Sequence, residues 1–288
     1  MSMTATTVSA RQRHWDLRAA GNFIGGGVGS GTVIATALAS VATGAPPRLT
    51  MAAGLICILA GLSLILMKIG KPFRALNVFF HPNTSWMTRE TIVAVPLLAL
   101  VFLAALFPHP ALAVAAALFA AAFLYCQARI LRASKGIPAW RQAEIVPFVA
   151  ATGLAEGSGL CLVLGGHSTV AVTYALVTAL AREAAWHSYR RGLAAAGIPP
   201  KVTAPLRTPF FAAVRIAQVV GLLLTAAALA GGEVGTLLAV IGGALAVLTG
   251  GTVKAVLVTR CGFAQGAAVV HAPVRGQPAG IVLPARQP

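Results

Sequence analysis

Six acidic residues are all that the 288-residue chain brings to proton chemistry: Asp16, Glu90, Glu144, Glu156, Glu183 and Glu233. Asp16, Glu144 and Glu233 fall outside or at the edges of apolar runs and read as solvated or interfacial. The other three fall within apolar runs, where an ionisable group is costly and tends to be functional. Glu156 sits mid-run in Thr152-Gly153-Leu154-Ala155-Glu156-Gly157-Ser158-Gly159. It reads either as a proton relay or as a neutral acid hydrogen-bonded to a facing helix. Glu183 lies beside Arg182, four residues before His187, and reads as a member of a local ion-pair network or as a second relay group. Glu90 follows Thr84 and Ser85, either of which is a good N-cap. It therefore has two readings as well: a helix-start acid paired with Arg89 and favoured by the helix dipole, or a proton-exchanging group.

The segment before Glu90 bears on that choice. Residues 68–82 are too polar to cross a membrane. Phe73, Leu76 and Phe80 recur near helical spacing, with Lys71 and Arg74 set apart from them, which predicts a short amphipathic helix at the membrane boundary. Such a helix would bring Lys68, His81, Trp86 and Glu90 close together. A lipid-soluble headgroup with two carbonyl or hydroxyl oxygens fits that set: it needs hydrogen-bond donors, a proton acceptor and an apolar slot.

Resident redox centres are not expected. The six histidines, His14, His81, His109, His167, His187 and His271, all sit at the ends of apolar runs or between them, whereas a membrane haem needs paired axial histidines at depth. The four cysteines, Cys57, Cys126, Cys161 and Cys261, form no C-x-x-C pair and read as buried thiols, so no metal or iron–sulfur site is expected.

The elements that position these groups are membrane helices. The chain is 58% hydrophobic and 10% charged, against about 25% charged in a soluble domain, and its mean hydropathy is +0.83. An ordinary soluble enzyme is excluded. So is a nucleic-acid binder, despite the net charge of +16, because the basic residues lie in the gaps between apolar runs. The first 20 residues contain basic groups and no apolar stretch of a cleavable signal.

A membrane helix needs about 20 apolar residues. The runs at 22–43, 50–67, 86–107, 110–130, 146–165, 168–187, 209–230 and 235–258 predict an all-α polytopic protein with eight spans. Residues 1–20 precede the membrane domain of 21–258, residues 68–85 form an interfacial loop, and 259–288 form a Pro-rich tail. With eight spans, only Arg48 of the 22 Lys and Arg residues falls on the side opposite the rest, so both termini are expected in the cytoplasm, at a plasma (inner) membrane. The long basic connections on that side, with Trp140, Trp186 and Tyr189, suggest a docking platform for a soluble partner. Gly-Ser-Gly recurs at 29–31 and 157–159, hinting at two four-helix halves.

Lys68-Ile69-Gly70-Lys71-Pro72-Phe73-Arg74-Ala75-Leu76-Asn77, followed by Thr84-Ser85-Trp86-Met87-Thr88-Arg89-Glu90, resembles the membrane anchor subunits of dimethyl-sulfoxide-reductase-type molybdoenzymes. The Gly-rich first span resembles the subgroup associated with phenylacetyl-CoA:acceptor oxidoreductase. The resemblance implies an eight-span anchor that binds quinone or quinol and carries no redox centre. It implies electron exchange with a four-cluster iron–sulfur subunit joined to a molybdopterin catalytic subunit on the cytoplasmic face. Glu90 matches the family's quinol-binding acid. A family histidine is replaced here by Lys68, which can donate a hydrogen bond but, once protonated, accepts no proton; His81 is the candidate substitute. The quinone-site candidates are thus Lys68, Arg74, His81, Trp86 and Glu90, with Glu156 and Glu183 as relay candidates. The competing expectation is a stand-alone proton-coupled transporter using Glu156 and Glu183, built around a central polar cavity.

Overall fold

The structure, a computed structural model, describes residues 14–69 and 77–263. Among these residues the long elements are eight helices: α1 (Leu17–Thr43), α2 (Arg48–Ile69), α3 (Trp86–Leu106), α4 (Pro110–Ala133), α5 (Ile145–Val163), α6 (Thr169–Ala195), α7 (Pro209–Ala227) and α8 (Gly232–Thr259). Short helical turns at Pro138–Trp140 and Pro200–Arg207 punctuate the connections. Seven of the eight are long and apolar enough to cross a membrane, and the chain is a polytopic helical membrane protein. The exception is α6. It has 27 residues, but Arg182 and Glu183 interrupt its apolar run and Arg190 and Arg191 follow, so it falls short of the hydropathy of its neighbours.

Local chemistry fixes the helix ends. Asp16, Ser85, Ser168 and Thr208 cap α1, α3, α6 and α7 by accepting backbone N–H groups that the first turn leaves unpaired. Pro110 and Pro209 open α4 and α7, where a missing N–H costs nothing. Gly44 ends α1 in the left-handed region, φ 82°. The amphipathic helix expected over 68–82 lies largely outside the described residues; of that segment, 77–80 form one 3-10 turn.

The centre of the bundle is built on glycine. One stripe of α1, Gly25 and Gly29, lies against α2: a Cβ on Gly25 would come within 2.6 Å of the Cys57 carbonyl oxygen, and one on Gly29 within 2.6 Å of that of Gly54. A second stripe, Gly27 and Gly31, lies against Gly153 and Gly157 of α5, where a Cβ on Gly31 would meet the Gly153 oxygen at 2.2 Å and one on Gly157 the Gly31 carbonyl carbon at 2.1 Å. The pairs are small-xxx-small motifs running side by side, the arrangement that lets membrane helices touch backbone to backbone. Similar contacts join α5 to α8 through Gly159 and Gly243, and α7 to α8 through Gly221 and Gly242.

Around α1 and α5 the remaining helices follow one pattern. α1 packs on α2 and α4, and α3 packs on α4 and α2; α5 packs on α6 and α8, and α7 on α8 and α6. The connections 44–47, 107–109, 164–168 and 228–231 are short, whereas those at the opposite end, 70–85, 134–144 and 196–208, are long. The long-loop end has its own aromatic core. Trp140 donates its indole N–H to the Leu257 oxygen at 3.2 Å, and Tyr189 donates its hydroxyl to the Ala139 oxygen at 2.8 Å. Trp140, Trp186 and Tyr189 are all buried. They stitch the α4–α5 connection onto α6 and α8 and do not form the exposed aromatic platform that the sequence suggested.

Gly157→Leu should therefore break the α1–α5 contact, lowering the thermal midpoint of the detergent-purified protein by roughly 5 °C or more, the scale of core overpacking. Gly136→Ala, where an added Cβ meets nothing within 4 Å, should leave it unchanged. Equal midpoints for Gly157→Leu and wild type would refute the packing account.

Candidate functional site

The buried acids Glu90 and Glu156 each centre a polar cluster, one on either side of α1. The first surrounds Glu90. This residue lies in the second turn of α3 with its side chain turned into the bundle, 5% exposed. Asn22 of α1 donates its amide Nδ2 to Glu90 Oε1 at 3.5 Å, and Gln127 of α4 is its second polar neighbour. Gln127 also donates Nε2 to the Asn22 backbone oxygen at 3.1 Å. It reaches that carbonyl because position 26 is glycine: a Cβ there would lie 2.2 Å from Gln127 Nε2. Both amides spend their N–H groups and leave their oxygens over. Asn22 Oδ1 and Gln127 Oε1 are buried acceptors without a hydrogen-bond partner. Two such acceptors beside a carboxylate leave the cluster short of donors, and buried acceptors are ordinarily paired. A ligand hydroxyl or a protonated Glu90 supplies what is missing.

A cavity of about 380 Å³ opens onto this cluster, within the usual range of small-molecule pockets. Glu90 and Asn22 supply its polar wall, Phe23, Ile65, Met87 and Ile130 its apolar wall, and His14, Trp15 and Lys68 its mouth. The mouth is tied together by charge. Lys68 donates to the His14 backbone oxygen and lies 3.8 Å from Asp16 Oδ1 and 6.0 Å from the Trp15 ring centre. Burial alone would raise the Asp16 carboxyl, but the Ala19 N–H, the Arg18 guanidinium and Lys68 outweigh it and hold the group below the usual carboxylate range.

The other residues expected at this site are placed differently. Trp86 is clamped between two guanidinium groups, with Arg89 and Arg129 each 4.3 Å from its ring centre, and the Tyr125 ring meets it edge-on at 5.7 Å. It does not line the cavity. Arg89 donates to the Pro82 and Asn83 backbone oxygens at 2.7 and 2.9 Å, closing the turn before α3, and is not the partner of Glu90. His81 is exposed in that same turn, as are Phe79 and Phe80. Arg74 lies outside the described residues.

The second cluster is deeper. Glu156 of α5 is fully buried, and its Oε2 lies 2.5 Å from Lys254 Nζ of α8, itself 2% exposed. Lys254 also donates to the Phe23 backbone oxygen at 3.0 Å. Glycine again provides the space: a Cβ on Gly27 would lie 2.0 Å from Lys254 Nζ, and one on Gly250 2.6 Å from Glu156 Oε1. Lys254 had been assigned by sequence to the basic face of the membrane. The correction has a simple cause: a lysine one turn from a helix end can snorkel outward, but here its rotamer is drawn inward by a buried carboxylate.

The charges continue towards the long-loop end. Arg182 is 1% exposed, acts electrostatically on Glu156, and donates Nη1 to the Ala246 oxygen at 3.4 Å. Its Nε lies 3.8 Å from Glu183 Oε1. Glu183 pairs with Arg215, which also bonds Gln218 and lies 4.9 Å from the Trp186 ring centre. The result is a row of alternating sign, Lys254, Glu156, Arg182, Glu183 and Arg215. Arg182 and Arg215 thus also leave the basic face where sequence had counted them. Glu156 and Glu183 fall in one row, as relay candidates would, but Glu156 Oε1 and Arg182 Nε have no hydrogen-bond partner in it.

Sequence reasoning missed Asn22, Gln127, Lys254, Trp15 and His14 as partners of the two clusters. The signal for Asn22 and Gln127 was their polarity inside apolar runs. A scan against protein-family models finds none that matches the chain, and no curated protein matches it.

Lys254→Met should strand Glu156 as an unpaired buried carboxylate and cost about 3–5 kcal/mol, whereas Lys254→Met with Glu156→Leu should regain most of the loss. Thermal unfolding of the three proteins in detergent measures this. A single variant as stable as wild type would mean that the pair does not form.

Proposed function

We propose that the protein is a quinone-reactive membrane subunit, with Glu90 as the proton-exchanging group of a quinol site at the long-loop end of α1–α4. The observation that carries this reading is the 380 Å³ cavity in which a buried carboxylate, the Asn22 amide and an apolar wall converge at one end of the bundle, with the Gln127 amide behind them. A quinol has two hydroxyl donors on a flat apolar ring, the complement of that wall. On oxidation its two electrons leave for an external acceptor and its two hydroxyl protons must be accepted; Glu90 takes them one after the other and passes each towards the mouth, where His14, Lys68 and Asp16 meet water, before it accepts the next. Asn22 and Gln127 hold the carboxylate in place. Trp15 and Phe23, stacked with centres 6.0 Å apart, flank the ring. Reduction of quinone runs the same groups in reverse.

The resemblance of residues 68–77 and 84–90 to molybdoenzyme anchor subunits supplies the acceptor: a four-cluster iron–sulfur subunit, itself joined to a molybdopterin catalytic subunit, docked on the long-loop face. In this reading the chain binds no metal of its own. All eight helices cross the membrane. The 27 residues of α6 reach about 40 Å at 1.5 Å per residue, and its two mid-helix charges, Arg182 and Glu183, are held by groups on α7 and α8, while Arg190 and Arg191 lie exposed near its end. The termini then share the cytoplasmic side of a plasma (inner) membrane, and the matched packing of α1–α4 and α5–α8 reflects two four-helix halves meeting at the α1–α5 glycines.

A second reading has one observation in its favour. The Glu156–Lys254 pair lies at depth, away from the Glu90 cavity, and an ion pair there is what a proton-coupled carrier would use. The two readings assign the proton to different acids. Glu156→Gln would abolish proton uptake by proteoliposomes in the carrier and leave quinol binding intact in the anchor.

Glu90→Gln keeps shape and removes the titratable proton. Titrating the purified chain with a short-tailed quinol analogue should quench tryptophan fluorescence saturably through Trp15, and the variant should bind roughly tenfold more weakly, the worth of one charge-assisted hydrogen bond. In the assembled complex it should lose most quinone-linked turnover while dye-linked turnover at the catalytic subunit is unchanged. Normal binding and turnover would return Glu90 to a purely structural role. A reporter active only outside the cytoplasm should be silent when fused at the C-terminus; strong activity there would remove the eight-span orientation.

A further inference from the structure

A cavity larger than the one at Glu90 lies elsewhere in the bundle. It measures about 800 Å³ and lies between α6, the 196–208 connection and α7. Its lining divides by chemistry. Towards the long-loop end stand His187, Arg190 and Arg207, all exposed. Towards the membrane centre stand Ile216, Val219 and Val220 of α7, also exposed, on the lipid-facing side of the bundle. The one acid in the lining, Glu183, is already held by Arg215 and Arg182, so it neutralises no further cation. Arg190 and Arg207 have no ion-pair or hydrogen-bond partner among the described residues. α6 and α7 are joined below the cavity by the Glu183–Arg215 pair and by Trp186 against Phe211, ring centres 5.4 Å apart, and the cleft stays open laterally.

We infer that this cleft is a binding site for one anionic phospholipid, its phosphate held by Arg190 and Arg207 and an acyl chain laid along Ile216, Val219 and Val220. Two unpaired guanidiniums above a membrane-exposed apolar groove match a molecule that carries a phosphate and a chain together. Guanidinium forks bind phosphate oxygens in pairs, and basic pockets between membrane helices at the leaflet boundary collect acidic headgroups. A neutral quinone headgroup would leave both arginines unsatisfied, and a free phosphate would leave the groove empty. The bound phosphate would lie next to the Arg215–Glu183–Arg182 row, so the lipid also sets the charge at one end of it. The inference is independent of the quinol reading: it uses no residue of the Glu90 cavity.

The test uses the full chain in a neutral detergent, with dioleoyl phosphatidylglycerol, dioleoyl phosphatidylcholine and inorganic phosphate as probes, read by native mass spectrometry and by thermal midpoint. Phosphatidylglycerol should be retained at one molecule per chain and raise the midpoint, phosphatidylcholine should be retained at least about tenfold less well, and inorganic phosphate should do neither. Arg190→Gln with Arg207→Gln should abolish the preference for phosphatidylglycerol without lowering the midpoint of the lipid-free protein, since neither side chain has a partner to lose. Val220→Trp, which fills the groove and leaves the arginines in place, should weaken retention as well. Equal retention of the two lipids, an unaltered preference in the double arginine variant, or a midpoint shift from inorganic phosphate equal to that from the lipid would each overturn the assignment. So would displacement of the lipid by a short polyglutamate peptide, which would make the cleft a protein-docking site.

Discussion

The architecture depends on how closely α1 approaches its neighbours. A helix in lipid must satisfy its backbone polar groups internally, and its carbonyls are usually hidden behind side chains one turn further on. At Asn22 and Phe23 they are not, because the residues four positions on are Gly26 and Gly27. Two side chains use the opening. Gln127 comes from α4 to the Asn22 oxygen, and Lys254 comes from α8 to the Phe23 oxygen. Each brings an acid with it: Glu90 on one side and Glu156 on the other. Gly26 and Gly27 stand among the glycines that let α1 touch α2 and α5, and a side chain at either position would displace Gln127 or Lys254 from its carbonyl.

The two acids are held in different ways. Glu156 has a formal counter-charge at 2.5 Å and no cavity described beside it. Breaking that pair leaves a charge in low dielectric, the costly half of any buried ion pair. Glu90 has only amides around it and a cavity at its side. No ion-pair partner is described for it, so a ligand entering the cavity meets the carboxyl directly. This contrast is the reason for giving proton exchange with a ligand to Glu90 and treating Glu156 first as part of the scaffold. The alternating row from Lys254 to Arg215 points the same way: each charge is flanked by the opposite sign, which lowers the energy of the charged state of all five.

Much of this was legible in the sequence, because rarity is informative in an apolar chain. With so few acids, Glu90 and Glu156 stand out, and the apolar runs reveal the helices to within a few residues. What failed was anything that depended on side-chain direction. Lys254 lies close enough to a helix end to read as a surface cation, and only the position of Glu156 across the α5–α8 contact decides otherwise. Trp86 is near Glu90 in sequence, but two arginines from opposite sides hold its ring outside the cavity. Trp140 looked like a loop aromatic open to a partner and is in fact the peg that fixes the 134–144 connection. Asn22 and Gln127, 105 residues apart, become a pair only once α1 and α4 are packed, and no local pattern encodes that. The run at 168–187 marked α6 but stopped short of its end at Ala195, because the last two turns carry Arg190 and Arg191 and add no apolar stretch.

Phe23 is where the two clusters come closest to acting on each other. Its ring lines the Glu90 cavity and its carbonyl accepts from Lys254, so one residue touches both. Mechanical coupling through it is disfavoured. The α1 backbone on either side is wedged against α2 and α5 at distances that leave no room for a single added carbon, and tightly packed interiors resist small displacements. Electrostatic coupling faces no such obstacle. A proton gained or lost at Glu90 would change the field at the Asn22 and Phe23 carbonyls, which accept from Gln127 and Lys254, and in a medium of low dielectric that change is felt over several ångströms. A charge change at Glu90 would thus reach the deeper ion pair through the field and not through a helix movement.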